Sequence, residues 1–376
     1  MQQGPVSKTS RPELYATTKR RKKPMMRRSV RRPSHLSETL IGPGAVSASA
    51  RGTGVYLDKY RVVAEVGRGS MGVVYRGEHM VTGRKVAIKL LQPQHVNTES
   101  VVSRFLAEAT ACARIGHPGI VDIYDAATCA DGSAYLVMEF LDGRPLSELI
   151  RGRRIAARDT VDLARQMAVT LAAAHNAGIV HRDLKPDNVF VVRDPWERSR
   201  LRIKVIDFGV AKFLYEQPNR VKTVRGTVMG TPVYMSPEQA AGSGGLDTRS
   251  DIYSLGCILY EAICGRVPFS GTVADVLMGH LHGKPLAPRQ IASDAPAALN
   301  DLVVQMLAKR PDDRPRTMLD VDAALQAIEA SHSSSTATAE ARYASSRSDA
   351  MDAGADGFIP KPFGIDALRE ELDRLA

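Results

Sequence analysis

Three glycines of this 376-residue chain are spaced so that they could bind phosphate groups. Gly67, Gly69 and Gly72 are followed by Val74, with runs of β-branched residues on both sides. The spacing alone is weak evidence, because it also occurs in dinucleotide-binding folds and in plain turns. A dinucleotide motif would lead from a strand into a helix, whereas these flanks are strand-like on both sides. We therefore predict a hairpin whose backbone N–H groups close over phosphates.

A lysine with apolar neighbours follows this hairpin. Lys89 ends the sequence Val86-Ala87-Ile88-Lys89, which we predict to be a strand. An unpaired cation in such a setting would be costly, so Lys89 should have anionic partners. Glu108, on the helix predicted to follow, is the natural protein partner, and phosphate oxygens are the natural ligand.

The most specific motifs combine carboxylates, an amide and a lysine. They are His181-Arg182-Asp183-Leu184-Lys185-Pro186-Asp187-Asn188 and Asp207-Phe208-Gly209. Together with the glycine hairpin and Lys89, they resemble the motifs of a protein kinase, specifically the eukaryotic-like Ser/Thr kinases of bacteria. The resemblance covers about residues 60–330, with the motifs in the family's order and at family-like intervals. It implies an α+β, bilobal protein kinase fold with a β-rich N-lobe and a helical C-lobe.

The resemblance implies catalytic roles for four residues. Phosphoryl transfer develops charge that must be neutralised, so the site needs cations, metal ligands and one oriented carboxylate. By resemblance, Asp183 orients the substrate hydroxyl and accepts its proton, and Lys185 neutralises the γ-phosphate. Asn188 and Asp207 would hold Mg²⁺, a hard cation that prefers oxygen ligands. The implied function is a protein kinase that uses ATP and Mg²⁺.

The same resemblance implies how ATP would be held. Lys89, held by Glu108, would grip the α- and β-phosphates. The adenine would lie between Val74 and Ala87 on one side and Phe190 on the other, with Met138 at the rear of its pocket. The residues expected to contact ATP are Val66, Gly67, Arg68, Gly69, Ser70, Met71, Gly72, Val73, Val74, Ala87, Lys89, Glu108, Glu139, Leu141 and Phe190.

Substrate class is indicated by Lys185, because tyrosine-specific members of the family usually lack a lysine two residues after the catalytic aspartate. Protein Ser/Thr hydroxyls are therefore the expected substrates. Residues 230–238 resemble the loop that receives the substrate peptide, with Thr231 expected to bridge Asp183 and Lys185. Ser236 stands in this loop where alanine is commoner.

Arg182, directly before the catalytic aspartate, suggests control by phosphorylation. A phosphate on the loop 213–229 could pair with Arg182 and order that loop. Thr223 and Thr227 are the candidate sites, and the alternative is that either is a solvated loop hydroxyl. Two copies of the chain could form a dimer for this autophosphorylation.

Two further residues resemble structural residues of the family. Asp251 lies in a predicted helix, and Arg314 is expected to pair with Glu238. We interpret these as members of buried ion pairs that hold the large lobe together.

The elements that must position these residues can be predicted from periodicity. Short β-branched runs predict a mostly antiparallel sheet with strands at 61–66, 73–78, 85–90, 120–124 and 135–140. A helix at 99–115 interrupts this sheet. After Gly143 the pattern becomes helical, with helices predicted at 160–176, 250–264, 297–308 and 318–330.

Composition places the chain among globular proteins. Hydrophobic residues make up 44% and charged residues 24% of the chain, which argues against a largely disordered protein. No apolar run is long enough for a membrane span or a signal peptide, so we expect a cytoplasmic protein. The four cysteines show no metal-ligand spacing and are interpreted as buried thiols.

The ends differ in character from this domain. Residues 1–50 hold eleven Lys or Arg and two acids, nearly the whole net charge of +10, and we interpret 1–55 as a basic disordered arm. Residues 331–348 are rich in Ser, Ala and Thr and predict a linker. Residues 349–376 resemble the last strand and helix of a response-regulator receiver domain, with Lys361 at the family's lysine. The upstream half of a receiver has no counterpart, so we interpret this tail as a remnant.

Two alternative functions remain open at this stage. A catalytically inactive kinase fold could serve as a scaffold, although such proteins typically lose one of Lys89, Asp183, Asn188 or Asp207, and this chain has all four. The basic arm could contact nucleic acid or anionic lipid through phosphate groups. It lacks interleaved aromatic residues, which favours a solvated tail.

Overall fold

The first part of the chain forms one six-stranded antiparallel sheet. The computed structural model describes residues 56–69, 72–91, 99–129, 133–193, 201–208, 232–242 and 247–331. The sheet has the order β1-β2-β3-β4-β6-β5. Its strands are β1 Tyr56–Leu57, β2 Tyr60–Arg68, β3 Gly72–His79, β4 Lys85–Leu91, β5 Ile123–Thr128 and β6 Ala134–Glu139.

Strand register places the chemistry-bearing residues on one face of this sheet. Lys89 lies opposite Val74 on β3 and Leu136 on β6, and Ala87 lies opposite Met138. Since side chains alternate along a strand and opposite residues share a face, all five project to the same side. The other face carries a separate core that includes Leu57, Tyr60, Val62, Val86, Ile88, Tyr135 and Val137.

Helix α1, Glu99–Ala113, packs against the face that carries Lys89. Its residues Phe105 and Ala109 are buried in one apolar cluster with Leu136 and Met138. The sheet is therefore covered on this side by a helix, and Lys89 lies at the edge of an apolar layer.

The second part of the chain is mainly helical around a small antiparallel sheet. That sheet comprises β7 Gly143–Pro145, β8 Val189–Arg193 and β9 Leu201–Val205. The helices are α2 Leu146–Ile150, α3 Ala157–Asn176, α4 Pro237–Ala240, α5 Arg249–Cys264, α6 Val273–His282, α7 Pro288–Ile291, α8 Ala297–Met306 and α9 318–331. Helix α5 is buried along nearly its whole length and forms the centre of the core. It ends at Gly265, whose φ of +70° suits a residue without a Cβ.

The predicted pattern of strands followed by helices is confirmed, with one correction. The strand predicted at 120–124 is Ile123–Thr128 instead. Ile120 bridges to Val205 of β9, and the N–H of Val121 donates to the Val205 carbonyl at 3.1 Å. The main chain at the start of the apolar run is therefore engaged by the second sheet and does not pair with β6.

None of the helices in the described ranges combines the length and apolar character that crossing a bilayer requires. The four cysteines, all within those ranges, form no disulfide. Cys257 and Cys264 are buried on α5, and burial raises the pKa of the Cys264 thiol to about 11. These side chains act as small apolar groups in the core.

Candidate active site

The loop before β8 brings together three of the predicted catalytic residues. The Nζ atom of Lys185 lies 2.8 Å from Oδ2 of Asp183. The Nδ2 atom of Asn188 donates to the backbone oxygen of Asp183 at 2.9 Å and to its Oδ2 at 3.3 Å. A lysine and an amide thus fix the Asp183 carboxylate from two sides.

Asp251 on α5 holds this loop through hydrogen bonds from the main chain of the loop. Its side chain is fully buried and accepts the N–H of His181 at 2.8 Å and that of Arg182 at 2.9 Å. It also contacts Nε2 of His175 at 2.7 Å. Arg182 has a left-handed φ of +61°, a conformation that is costly for a non-glycine residue and is held here by the Asp251 contact. Asp251 is buried as predicted, but its partners are two main-chain N–H groups and the His175 ring rather than the Lys or Arg of an ion pair.

Lys89 forms an ion pair with Asp207. Its Nζ lies 2.7 Å from Oδ1 of Asp207, and the lysine side chain is 8% exposed. Burial alone would raise the pKa of Asp207, but the charge and hydrogen bond of Lys89 outweigh it and hold that pKa below its ordinary value. Asp207 is therefore ionised at neutral pH. Glu108 belongs to α1, but its side chain lies outside the described part of the chain, so its pairing with Lys89 stays a prediction.

Hydrogen bonds join the segment of Asp207 to the catalytic loop. The N–H of Ile206 donates to the Asn188 carbonyl at 2.9 Å, and Nε2 of His181 lies 3.1 Å from the Ile206 carbonyl. Burial lowers the pKa of His181, so its ring is neutral and Nε2 carries the proton. Nδ1 is then free to accept the N–H of Asp183 at 3.3 Å. Through these bonds His181 couples the positions of the two aspartates.

The glycine hairpin joins β2 to β3. Among the described residues, none lies within 4 Å of a Cβ added at Gly67 or Gly69. A Cβ at Gly72 would lie 2.4 Å from the Leu90 carbonyl oxygen, which explains a glycine there by close packing. The N–H of Gly69 donates to the Gly72 carbonyl at 2.9 Å.

The other predicted residues of this hairpin have different environments. Val66 is 53% exposed, and Arg68 pairs with Glu65 at 2.6 Å. Val73 is buried in the sheet. Ser70 and Met71 lie outside the described residues.

Four of the residues expected around the adenine belong to one apolar cluster. Val74, Ala87, Met138 and Leu141 belong to it, together with Ile206, which the sequence reasoning did not identify. The position of Ile206 directly before Asp207 was the available signal. Phe190 is partly buried on β8, opposite Lys204, and is not among the described residues of this cluster.

Comparison with known proteins identifies the family. Residues 60–327 match the family model described as the protein kinase domain. The chain belongs to the protein kinase family. This kinase chain is 42% identical over 280 residues to serine/threonine-protein kinase Pkn1 of Myxococcus xanthus. The aligned region covers 74% of this chain and 39% of Pkn1. It is 36% identical over 273 residues to serine/threonine-protein kinase PknB of Mycolicibacterium smegmatis. Here the aligned region covers 71% of this chain and 42% of PknB.

A solved structure agrees with this assignment. The PknI kinase domain of Mycobacterium tuberculosis superposes with a TM-score of 0.59 at 25% identity, covering 74% of this chain and 98% of that one. The predicted α+β fold with a β-rich N-lobe and a helical C-lobe is thereby confirmed. The kinase chain spans less than half the length of Pkn1 and PknB, so the match concerns their kinase portion.

A pocket of the kinase is lined by Met138, Lys89 and Asp207. Apolar side chains of α1 and the sheet also line it, among them Phe105, Ala109, Cys112 and Leu136, together with Phe208, which follows Asp207 in the chain. Met138 lines this space, and its place at the rear of an adenine pocket stays a prediction.

Glu139 is held by an interaction that the sequence reasoning missed. Its Oε2 lies 2.6 Å from Nζ of Lys204 on β9, and Lys204 also donates to the Ile120 carbonyl at 3.2 Å. The N–H of Glu139 donates to the Asp122 carbonyl at 2.8 Å. The segment between the lobes is thus tied to the strand that leads to Asp207. No local sequence signal distinguishes Lys204 from a solvated strand lysine.

Beside the expected substrate loop, the predicted pair of Glu238 and Arg314 is confirmed. Two guanidinium nitrogens lie 2.9 and 2.8 Å from the two carboxylate oxygens. Ser250 adds a hydrogen bond of 2.6 Å to Glu238. Burial by itself would raise the pKa of Glu238. Hydrogen bonds from Arg314 and Ser250 and the charge of Arg314 outweigh burial and lower that pKa to about 2.

Three predicted residues of the substrate and activation loops, Thr223, Thr227 and Thr231, lie outside the described residues. Within the described ranges, no group of three or more His, Cys, Asp or Glu side chains could by itself hold a metal ion. Asn188 and Asp207 remain the oxygen donors that fit Mg²⁺, which is typically bound by one or two carboxylates plus substrate phosphates.

Proposed function

We propose that this kinase chain transfers the γ-phosphoryl group of ATP to Ser or Thr hydroxyls of protein substrates. The observation that carries the proposal is the Asp183 carboxylate, held by Lys185 and Asn188 and joined through Ile206 and His181 to the ionised Asp207. The names of Pkn1 and PknB as serine/threonine-protein kinases support the same substrate class.

In this mechanism Asp183 acts on the substrate hydroxyl. Lys185 and Asn188 engage Oδ2, which leaves Oδ1 to accept the hydroxyl proton. The hydroxyl oxygen then forms a bond to the γ-phosphorus while the bond to the bridging oxygen breaks, and ADP leaves. Lys185, beside the same carboxylate, neutralises charge on the transferred group.

Two residues fit a Mg²⁺ ion that accompanies the nucleotide. The Nδ2 of Asn188 is used by Asp183, which leaves its amide oxygen available, and the Asp207 carboxylate is anionic. Bound there, Mg²⁺ would neutralise phosphate charge. Asp207 and Lys89 are paired at 2.7 Å, so the Lys89 ammonium lies beside the carboxylate that would hold the metal, and it would contact the phosphate oxygens there.

The nucleotide contacts are proposed on the same basis. Gly67 and Gly69 have no described side chain or backbone within 4 Å of an added Cβ, which supports approach of phosphates to the backbone, and the cluster of Val74, Ala87 and Leu141 offers apolar contacts for adenine. Backbone groups around Glu139 would form hydrogen bonds with the polar edge of the adenine.

The test is phosphate incorporation with and without Asp183. Purified chain is incubated with radiolabelled ATP, Mg²⁺ and dephosphorylated casein, alongside Asp183→Ala and the surface control Asp301→Ala. We expect transfer by the wild type and by the control and at least a hundredfold loss in Asp183→Ala. Equal incorporation by Asp183→Ala would remove the catalytic assignment. Phosphoamino-acid analysis of the product distinguishes Ser/Thr from Tyr.

We also propose control by autophosphorylation of Thr223 or Thr227, with Arg182 as the phosphate partner and a second copy of the chain as the enzyme. Phosphopeptide mapping before and after phosphatase treatment tests this. Activity that does not change with the phosphorylation of either threonine would exclude it.

The domain limits are proposals as well: an arm at 1–55, the kinase domain at 60–330, a linker at 331–348 and a receiver-like remnant at 349–376. If the arm contacts nucleic acid or anionic lipid, deleting residues 1–55 should abolish salt-dependent binding to DNA or to phosphatidylserine vesicles. An unchanged affinity would exclude the arm. Deleting residues 349–376 should leave kinase activity unchanged.

A further inference from the structure

The main chain directly before Asp183 forms a strained turn. The N–H of Asp183 donates to the carbonyl oxygen of His181, two residues earlier, at 2.8 Å. Arg182, at the centre of this turn, has a φ of +61°. A left-handed backbone is costly for a residue with a Cβ, and it persists only where surrounding groups hold it. The conformation of the turn that leads into Asp183 therefore depends on the groups that bind it.

Two side chains bind the polar main-chain groups of Arg182. Its N–H donates to Oδ1 of Asp251 at 2.9 Å. Its carbonyl oxygen accepts a hydrogen bond from Nε2 of Gln239 at 2.7 Å. Because a peptide unit is planar, a bond to this oxygen also fixes the direction in which the backbone continues to Asp183. Asp251 lies on α5, whereas Gln239 lies on α4, directly after the expected substrate loop.

The start of α4 determines how the Gln239 amide is oriented. Oε1 of Gln239 accepts the N–H of Ser236 at 3.0 Å, and Oγ of Ser236 accepts the N–H of Gln239 at 3.4 Å. These reciprocal bonds form a capping box, and Ser236 is 0% exposed. Since a main-chain N–H can only donate, Oε1 must face Ser236, which leaves Nε2 to face Arg182. The serine that stands where alanine is commoner thus helps to orient Gln239.

A second glutamine of the chain occupies the same position in another helix cap. Helix α7, like α4, begins with a proline, and Oε1 of Gln290 accepts the N–H of Ala287 at 2.7 Å. Gln290 is exposed, whereas Gln239 lies between α4 and the catalytic loop. Capping a helix in this way requires only the oxygen of the glutamine side chain. The use of both ends of the Gln239 amide therefore indicates a second role.

We propose that Gln239 is a positioning residue for Asp183. Its amide joins the end of the substrate loop to the carbonyl oxygen of Arg182, and this bond keeps the strained turn in the conformation that directs the Asp183 carboxylate at the substrate hydroxyl. Without the donor the turn relaxes, and the carboxylate loses its alignment with the hydroxyl. The inference rests on the proposed kinase function, because that function assigns the hydroxyl proton to Asp183.

Two substitutions separate the two ends of the amide. Gln239→Glu keeps an oxygen for the N–H of Ser236 but removes the donor to Arg182, and Gln239→Met removes both. Gln290→Glu is the matched control, because it makes the same change at the same position of the other cap. We expect both Gln239 variants to lower kcat with dephosphorylated casein about tenfold, the factor for one hydrogen bond, with the KM for ATP unchanged. Gln290→Glu should keep the wild-type kcat.

Three kinetic outcomes would overturn the inference. A wild-type kcat in Gln239→Glu, or a loss confined to Gln239→Met, would mean that the helix cap alone explains the glutamine. An equal loss in Gln290→Glu would mean that the charge introduced at a cap is responsible. A loss of kcat accompanied by a raised KM for ATP would indicate general distortion of the site.

Hydrogen exchange provides a readout that does not require phosphate transfer. The Asp183 amide, which donates within the turn, should exchange faster in Gln239→Glu than in the wild type or in Gln290→Glu. Equal exchange rates in all three proteins would contradict a role of Gln239 in holding the turn. If the wild type transfers no phosphate, the proposed function fails, and the exchange rates of the Asp183 amide alone decide whether Gln239 holds this turn.

Discussion

Glu238→Gln tests the buried ion pair beside the substrate loop. The substitution keeps the shape of the side chain but removes its charge, while the guanidinium of Arg314 remains with 0% side-chain exposure. A buried charge that loses its partner is strongly destabilising, by about 3–5 kcal/mol. We therefore expect this single neutralisation to lower the free energy of unfolding substantially.

The pKa of Glu238 sets the magnitude and its pH dependence. It lies at about 2 against an ordinary 4.5, so the charged form contributes about 3 kcal/mol at pH 7, at ~1.4 kcal/mol per pH unit. Because the folded-state pKa is lowered, this stability is fully present above pH 4.5 and is lost as the pH falls towards 2. At pH 3.5 about 1.4 kcal/mol of it should be gone.

The assay is urea unfolding of wild type and Glu238→Gln at pH 7 and pH 3.5. Glu78→Gln is the matched control, since Glu78 pairs with Arg61 at the surface and should contribute less than about 1 kcal/mol. The difference between wild type and Glu238→Gln should shrink at the lower pH. Equal losses for both variants, or a difference independent of pH, would refute the reasoning.

Four other substitutions test separate parts of the site. Lys89→Met should raise the KM for ATP at least tenfold, because the apolar chain cannot bind phosphate; an unchanged KM in a nucleotide titration contradicts that role. Gly72→Ala should destabilise the chain by about 2 kcal/mol in thermal unfolding, because its Cβ would lie 2.4 Å from a carbonyl oxygen. Gly69→Ala should leave stability nearly unchanged but weaken ATP binding. Equal losses of stability in Gly69→Ala and Gly72→Ala would contradict the different roles assigned to these two glycines. Asp251→Asn places an NH₂ group among donors and should cost about 2 kcal/mol while lowering kcat, whereas wild-type values for both would exclude the anchoring role.

Local patterns predicted the parts of the site that lie close together in the chain. Asp183, Lys185 and Asn188 are within five residues of one another, so one loop was enough to bring them together. The strand predicted at 85–90 is confirmed as β4, and side-chain alternation puts Ala87 and Lys89 on one of its faces. The strand at 120–124 was misplaced because its main chain pairs with Val205, far along the chain, and periodicity carries no information about such a partner.

The amino-acid sequence by itself determined which groups can do chemistry here: a carboxylate with a lysine and an amide, a second carboxylate, and glycines that leave room for phosphate. Only the tertiary structure decided how they are held. Lys89 pairs with Asp207 across 118 residues, and Lys204 ties Glu139 to β9. Each depends on distances between segments remote in the chain, set by how sheets and helices pack, whereas residue type and spacing report only on neighbours along the backbone.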